Sequence, residues 1–138
     1  MTSASERRVL ILAPTKRDAS LVSSLLHEKQ VDSTICASVE DAVGELNQGA
    51  AAILLAEEFV SCSQSQPIVD AIASQPPWSD LPVLLITGQG ADSPAVDLAL
   101  RTLGNVTLVE RPTRVTALLS SVHSALRARE RQYQAQTL

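Results

Sequence analysis

The sequence predicts an α/β domain built on a five-stranded parallel sheet, doubly wound in the order 2-1-3-4-5, as a (βα)5 chain. Three observations lead there. Short β-favouring runs alternate strictly with longer segments of helical period. The runs Val9 to Leu12 and Ala52 to Ala56 are apolar without polar alternation, as strands covered on both faces are. The length, 138 residues, suits one domain of five such units. Parallel neighbours need right-handed crossovers, and of the doubly wound orders 2-1-3-4-5 suits five short units best.

Each element follows from its residues. After the first strand, Asp18 to Glu28 puts Ala19, Val22, Leu25 and Leu26 on one helical stripe, with Ser20, Ser23, Ser24 and His27 off it. Thr34 to Ala37 is the second strand. Ser38, with Asp41 three residues on, forms a helix N-cap signature, Ala42, Val43 and Leu46 supply the buried stripe, and Asn47-Gln48-Gly49 stops that helix. Ala52 to Ala56 is the third strand, Pro67 to Ser74 a helix with proline in its first turn, and Pro82 to Thr87 the fourth strand. Gln75 to Asp80 is a loop. Asp92 or Ser93 can cap a helix from Pro94 whose Val96, Leu98, Ala99, Leu100 and Leu103 are unusually apolar, and Gly104-Asn105 closes it in the left-handed conformation. Val106 to Val109 is the fifth strand, and a long helix runs from Pro112. Residues 1–7 are expected to be disordered, 8–127 to form the domain, and 128–138 to be a helical extension or linker.

Composition narrows the function. The formal charge of −4 disfavours attraction to phosphate backbones, and Phe59, Trp78 and Tyr133 are too few to form base-stacking platforms. Neither a secretory h-region nor a membrane-length apolar run is present, so a cytoplasmic domain without membrane contact is expected. Cys36 and Cys62 have no metal-ligand spacing and read as reduced, small apolar residues. No metal and no cofactor is expected.

In doubly wound sheets ligands bind outside the carboxyl ends of the strands, near the switch point between the first and third. The residues there are Ala13-Pro14-Thr15, Ala56-Glu57-Glu58, Thr87-Gly88 and Glu110-Arg111-Pro112. With these positions, the span from about Arg8 to Arg127 resembles the receiver domain of bacterial two-component response regulators, a flavodoxin-like fold. The resemblance implies an acidic pair after the first strand, a phosphoacceptor aspartate ending the third, Ser or Thr ending the fourth, and Lys-Pro after the fifth. Here the acidic pair falls on Ala13 and Pro14 and the phosphoacceptor on Ala56, while Thr87 is kept and Lys-Pro becomes Arg111-Pro112. The family's cis Lys-Pro bond makes Arg111-Pro112 a candidate cis peptide. The phrases Leu55-Ala56-Glu57-Glu58, Pro77-Trp78-Ser79-Asp80-Leu81-Pro82, Leu108-Val109-Glu110-Arg111-Pro112 and Arg131-Gln132-Tyr133 are similar to the degenerate receiver opening certain multidomain sensor histidine kinases.

An aspartyl phosphate needs a carboxylate nucleophile, Mg²⁺ on hard oxygen ligands, and cations or hydroxyls around the phosphoryl oxygens. Ala13, Pro14 and Ala56 supply no side-chain oxygen, so ordinary phosphotransfer, and with it enzymatic activity, is expected to be absent. Glu57 should diverge from Ala56 because adjacent strand residues point to opposite faces, and Glu58 should lie in the loop. Both read either as surface carboxylates near Arg111, as a mimic of a switched state, or as atypical acceptors. Thr87 is either local hydrogen-bonding structure or part of an anion cradle. A flavin carrier is disfavoured, since Ala13 to Asp18 is no Ser/Thr/Gly-rich phosphate loop.

Along the last helix Val115, Leu119, Val122, Leu126, Arg129 and Tyr133 recur at spacings of four and three, with Leu118 and Ala125 widening the stripe. Unbroken from Pro112 to Gln134, that helix is about 34 Å long. Beyond Leu126 the pattern weakens, and Arg127, Arg129 and Arg131 make a polar end that reads as a solvated tail, a coiled-coil dimer stem or a linker helix. The expected role is a pseudo-receiver regulating or assembling a histidine kinase through contacts with kinase or sensory segments, as a homodimer; a stand-alone adaptor is the alternative. Signals would bias the fourth helix, fifth strand and fifth helix between arrangements.

Overall fold

A computed structural model describes residues 5–61, 65–88, 94–110 and 115–136. Strands β1 (Val9–Leu12), β2 (Ser33–Ile35), β3 (Ala52–Ala56), β4 (Val83–Thr87) and β5 (Val106–Glu110) form one sheet in the order β2-β1-β3-β4-β5, every neighbouring pair parallel. This is the architecture expected from the alternation. β1 and β3 are buried along their whole length, whereas the edge strands β2 and β5 are largely exposed or half-buried.

Helices cover both faces. Leu10, Leu12, Ile53, Leu55, Val83 and Leu85 pack under α2 (Val39–Leu46), α3 (Glu58–Ser61), α4 (Gln66–Ala73) and α5 (Pro94–Thr102). On the other face Val9, Ile11, Leu54 and Leu84 meet α1 (Lys16–Glu28) and α6 (Val115–Gln136). Alternate residues of one strand thus feed two separate cores, which is why these strands read as unbroken apolar runs.

The caps account for the helix starts. Asp18 N–H donates to the Thr15 hydroxyl at 3.1 Å, so α1 begins two residues earlier than its apolar stripe suggests. At α2 the Asp41 N–H donates to Ser38 Oγ at 3.1 Å and the Ala37 N–H to Asp41 Oδ2 at 3.0 Å, a reciprocal cap. Gly104 ends α5 at φ +80°, the left-handed position that favours glycine. Asp92 and Ser93, the candidate caps of α5, lie outside the described residues.

Several expectations change. β2 is Ser33–Ile35 rather than Thr34 to Ala37, because only Val9, Leu10 and Ile11 of β1 find partners in it. Glu58 does not lie in a loop but opens the short helix α3, which places Val60 in the core. Residues 1–7 include a 3-10 turn, Ser5–Arg7. Gly49 makes room for it, since a Cβ there would stand 3.0 Å from Glu6 Cγ. Next to this turn Arg8 bridges to Glu45 at 2.6 Å and donates to the Glu45 carbonyl at 2.9 Å, tying β1 to the end of α2.

The largest correction concerns the chain's last helix. Leu119 and Val122 are core residues and Leu126 packs beside them, but the domain does not stop at Arg127. Arg129 and Tyr133, expected to belong to a dimer or linker stem, are each only 6 % exposed and are packed against the domain itself. The apolar pattern fades there because an arginine and a tyrosine, not aliphatic groups, occupy the inward positions. Val115 alone of that series is exposed. Cys36 is buried, and desolvation, followed by the nearby Asp41 and Glu45 charges, pushes its thiol up to about 11, which leaves it unreactive at neutral pH. Cys62 lies outside the described residues.

Candidate functional site

The carboxyl ends of β1, β3 and β4 meet at one edge of the sheet. Leu12 is in register with Leu55 and Ala56 with Ile86, so the residues that follow β1 and β3 stand level with the end of β4. Ala13 is half-buried and Pro14 exposed. Ala56 is fully buried. None of the three carries a side-chain oxygen, so this edge offers neither a carboxylate nucleophile nor hard ligands at those positions. Among the described residues, no group of three or more His, Cys, Asp and Glu side chains is placed to hold a metal ion.

Glu57 reaches towards β4. Its backbone N–H continues the ladder by donating to the Ile86 carbonyl at 3.0 Å, and its Oε1 accepts from the Gly88 N–H at 2.9 Å. A charge-assisted bond of this kind fixes the carboxylate over the loop that leaves β4. Gly88 suits that approach, since a Cβ there would come within 3.4 Å of Glu57 Oε1. The side chain thereby meets the residue that follows β4. Glu58 is exposed at the start of α3.

Thr87 is fully buried at the end of β4, and its hydroxyl has no hydrogen-bond partner among the described residues. A buried hydroxyl without a partner costs stability. Thr87→Val keeps the shape and removes the hydroxyl, so it should stabilise the fold by about 1 kcal/mol. Urea denaturation checks this; a variant less stable than the parent would show that the hydroxyl is already satisfied. Arg111 and Pro112, and the candidate cis peptide between them, lie outside the described residues.

The structure thus brings Ala13, Ala56, Glu57, Thr87 and Gly88 to one edge. What sequence reasoning missed is the Glu57 bond to the Gly88 N–H. Its only signal is a glycine directly after a strand-ending threonine, where a backbone amide is open to a neighbour. A cleft of about 590 Å³ lies elsewhere, near the amino-terminal ends of the strands, lined by Trp78, Ser79, Arg129 and Tyr133 among others.

No protein-family model and no curated relative matches the chain. Solved structures do. The chain is similar to a CheY-like response regulator receiver domain protein of Methanospirillum hungatei (14 % identity, TM-score 0.74, covering 92 % of this chain and 98 % of that one). It is also similar to a two-component response regulator of Clostridium difficile (17 % identity, TM-score 0.70, covering 88 % and 97 %). With NtrX of Brucella abortus the identity is 20 % and the TM-score 0.74, over 96 % of this chain and 29 % of NtrX. The fold is that of the flavodoxin-like receiver domains, with the sheet order they share.

Proposed function

We propose that this domain is a pseudo-receiver: a receiver fold that takes part in two-component signalling through protein contacts and accepts no phosphoryl group. The observation that carries the reading is the chemistry of Ala13, Pro14 and Ala56, which replaces all the acidic side chains the receiver pattern uses with groups that bind neither Mg²⁺ nor phosphorus. Thr87 survives at the same edge as a buried hydroxyl, half of a mechanism without its other half. Its partners would be histidine kinase or sensory segments in the cytoplasm. Exposed Leu98, Leu100, Leu108 and Val115 lie on α5, β5 and α6 beside the open edge of the sheet, and this is the surface we assign to a second copy of the chain.

The test is direct. The purified chain is incubated with acetyl phosphate and Mg²⁺ and its intact mass measured; no phosphoryl increment is expected. Sedimentation equilibrium on the same sample should report a dimer that Leu100→Glu converts to monomer. A second reading rests on Glu57, whose carboxylate sits at the same edge with Oε1 held by the Gly88 N–H. An increment that disappears in Glu57→Gln would establish it as an atypical acceptor and remove the pseudo-receiver reading.

A further inference from the structure

At the pole opposite Thr87 the chain's single tryptophan and single tyrosine enclose one arginine. The Arg129 guanidinium carbon stands 4.6 Å from the Tyr133 ring centroid and 5.5 Å from that of Trp78, and the two rings are 5.2 Å apart. Arg129 Nε donates to the Ala50 carbonyl at 3.0 Å. Nη1 donates to Ser79 Oγ and to Gln132 Oε1, both at 2.7 Å, and Nη2 to the Tyr133 hydroxyl at 3.2 Å. The Tyr133 hydroxyl in turn donates to the same Ala50 carbonyl at 3.1 Å. Gln132 completes the contact: its Nε2 donates to the Asp80 carbonyl at 2.8 Å and its Oε1 accepts the Asp80 N–H at 2.7 Å.

These bonds join three places far apart in sequence. Ala50 precedes β3, Ser79 and Asp80 precede β4, and Arg129, Gln132 and Tyr133 occupy the last two turns of α6. The loop itself is braced by Gln75 Oε1, which accepts from the Ser79 hydroxyl at 2.6 Å and the Leu81 N–H at 2.7 Å. Among the described residues the four oxygens that accept from Arg129 are neutral, so the guanidinium is held by geometry and ring faces, with the Glu6 and Asp80 charges acting on it without a hydrogen bond to it. Burial pushes its pKa below the usual arginine value, the cost of a desolvated charge.

We infer that Arg129 is a latch: it holds the last two turns of α6 against the amino-terminal ends of β3 and β4, and its release frees those turns as a unit while the sheet stays folded. Two features suit it to opening. The charge is buried and no carboxylate among the described residues is bonded to it, so the closed state is specific in shape yet costly in desolvation. The cleft of about 590 Å³ has Trp78, Ser79, Arg129 and Tyr133 in its wall, so a group entering it would meet the latch directly. The element is thus bistable, with α6 docked or undocked, and sets the direction in which that helix points. The latch is independent of what the opposite pole binds.

Hydrogen exchange of the full chain, read by peptide mass, tests this with Arg129→Lys, Trp78→Leu and, as control, Arg131→Lys on the exposed side of the same helix. Lysine keeps the charge but cannot donate in four directions or lie flat between two rings. In Arg129→Lys and in Trp78→Leu, amides from Arg131 to Gln134 should exchange at least tenfold faster, with β1 and β3 unchanged; Arg131→Lys should match the parent. In Arg129→Lys the Trp78 emission should also move to longer wavelength. Unchanged exchange at Arg131 to Gln134 in both variants would overturn the latch. So would an equal acceleration in β1 and β3, which would make Arg129 a residue of general stability only. Neither result alters the phosphodonor experiment.

Discussion

Ala56→Asp is expected to destabilise the domain by about 3 kcal/mol at neutral pH and still to take no phosphoryl group. Ala56 is fully buried at the end of β3 between β1 and β4, so a carboxylate there gains volume and loses water in one step. Nothing at Ala13 or Pro14 would hold a magnesium ion beside it. Burial raises the pKa of the new carboxyl above that of the unfolded chain, so over the interval between the two values the native state binds more protons than the unfolded one. Stability relative to the parent must then fall as pH rises from about 4, the ordinary aspartate value, and the deficit should be smallest in acid. Urea denaturation at several pH values measures the deficit, and intact mass after exposure to acetyl phosphate and Mg²⁺ measures the chemistry. A phosphoryl increment in this single variant would show that one carboxylate suffices at this edge without acidic side chains at Ala13 and Pro14.

Leu54→Ala should cost about 2–5 kcal/mol. Leu54 is 1 % exposed in the central strand and belongs to the core that Ile11, Leu84 and Val122 share beneath α1 and α6. Truncation leaves a cavity that a sheet fixed by neighbours on both sides cannot close, and the loss is a large part of the stability of an ordinary domain. The urea midpoint should fall with its slope unchanged. Leu21→Ala, at a site 61 % exposed on α1, should stay within about 0.5 kcal/mol of the parent. Equal effects at the two sites would mean that the second core is not packed as described.

Most of the carboxyl edge is legible in the residues alone. Ala13, Pro14, Ala56 and Thr87 are found by counting to the ends of apolar runs, because a strand buried on both faces announces its length in its own residues. The shorter edge strand β2 is displaced by one or two residues from its expected place, since half-exposed residues such as Thr34 and Ile35 carry a weaker pattern. For Glu57 the partner is not legible: Gly88 lies 31 positions away, and no periodicity connects them. Arg129 misleads for a related reason. On a helix wheel it sits on the inward stripe, yet an arginine there reads as the end of the core unless acceptors and ring faces to enclose it are known.

By itself the sequence determined the alternation of strands and helices, the winding order, the caps at Ser38 and Gly104, and the lack of side-chain oxygens at Ala13, Pro14 and Ala56, because each depends on residue type and on spacing within one element. Tertiary structure alone decided that Glu57 bonds to the Gly88 N–H, that the Thr87 hydroxyl has no partner among the described residues, and that α6 returns to the domain through Arg129. Ala50 and Ser79 lie 79 and 50 positions from that arginine. Partners so distant are chosen by which loops the sheet order brings to the same pole, a property of the whole packing that no local pattern encodes.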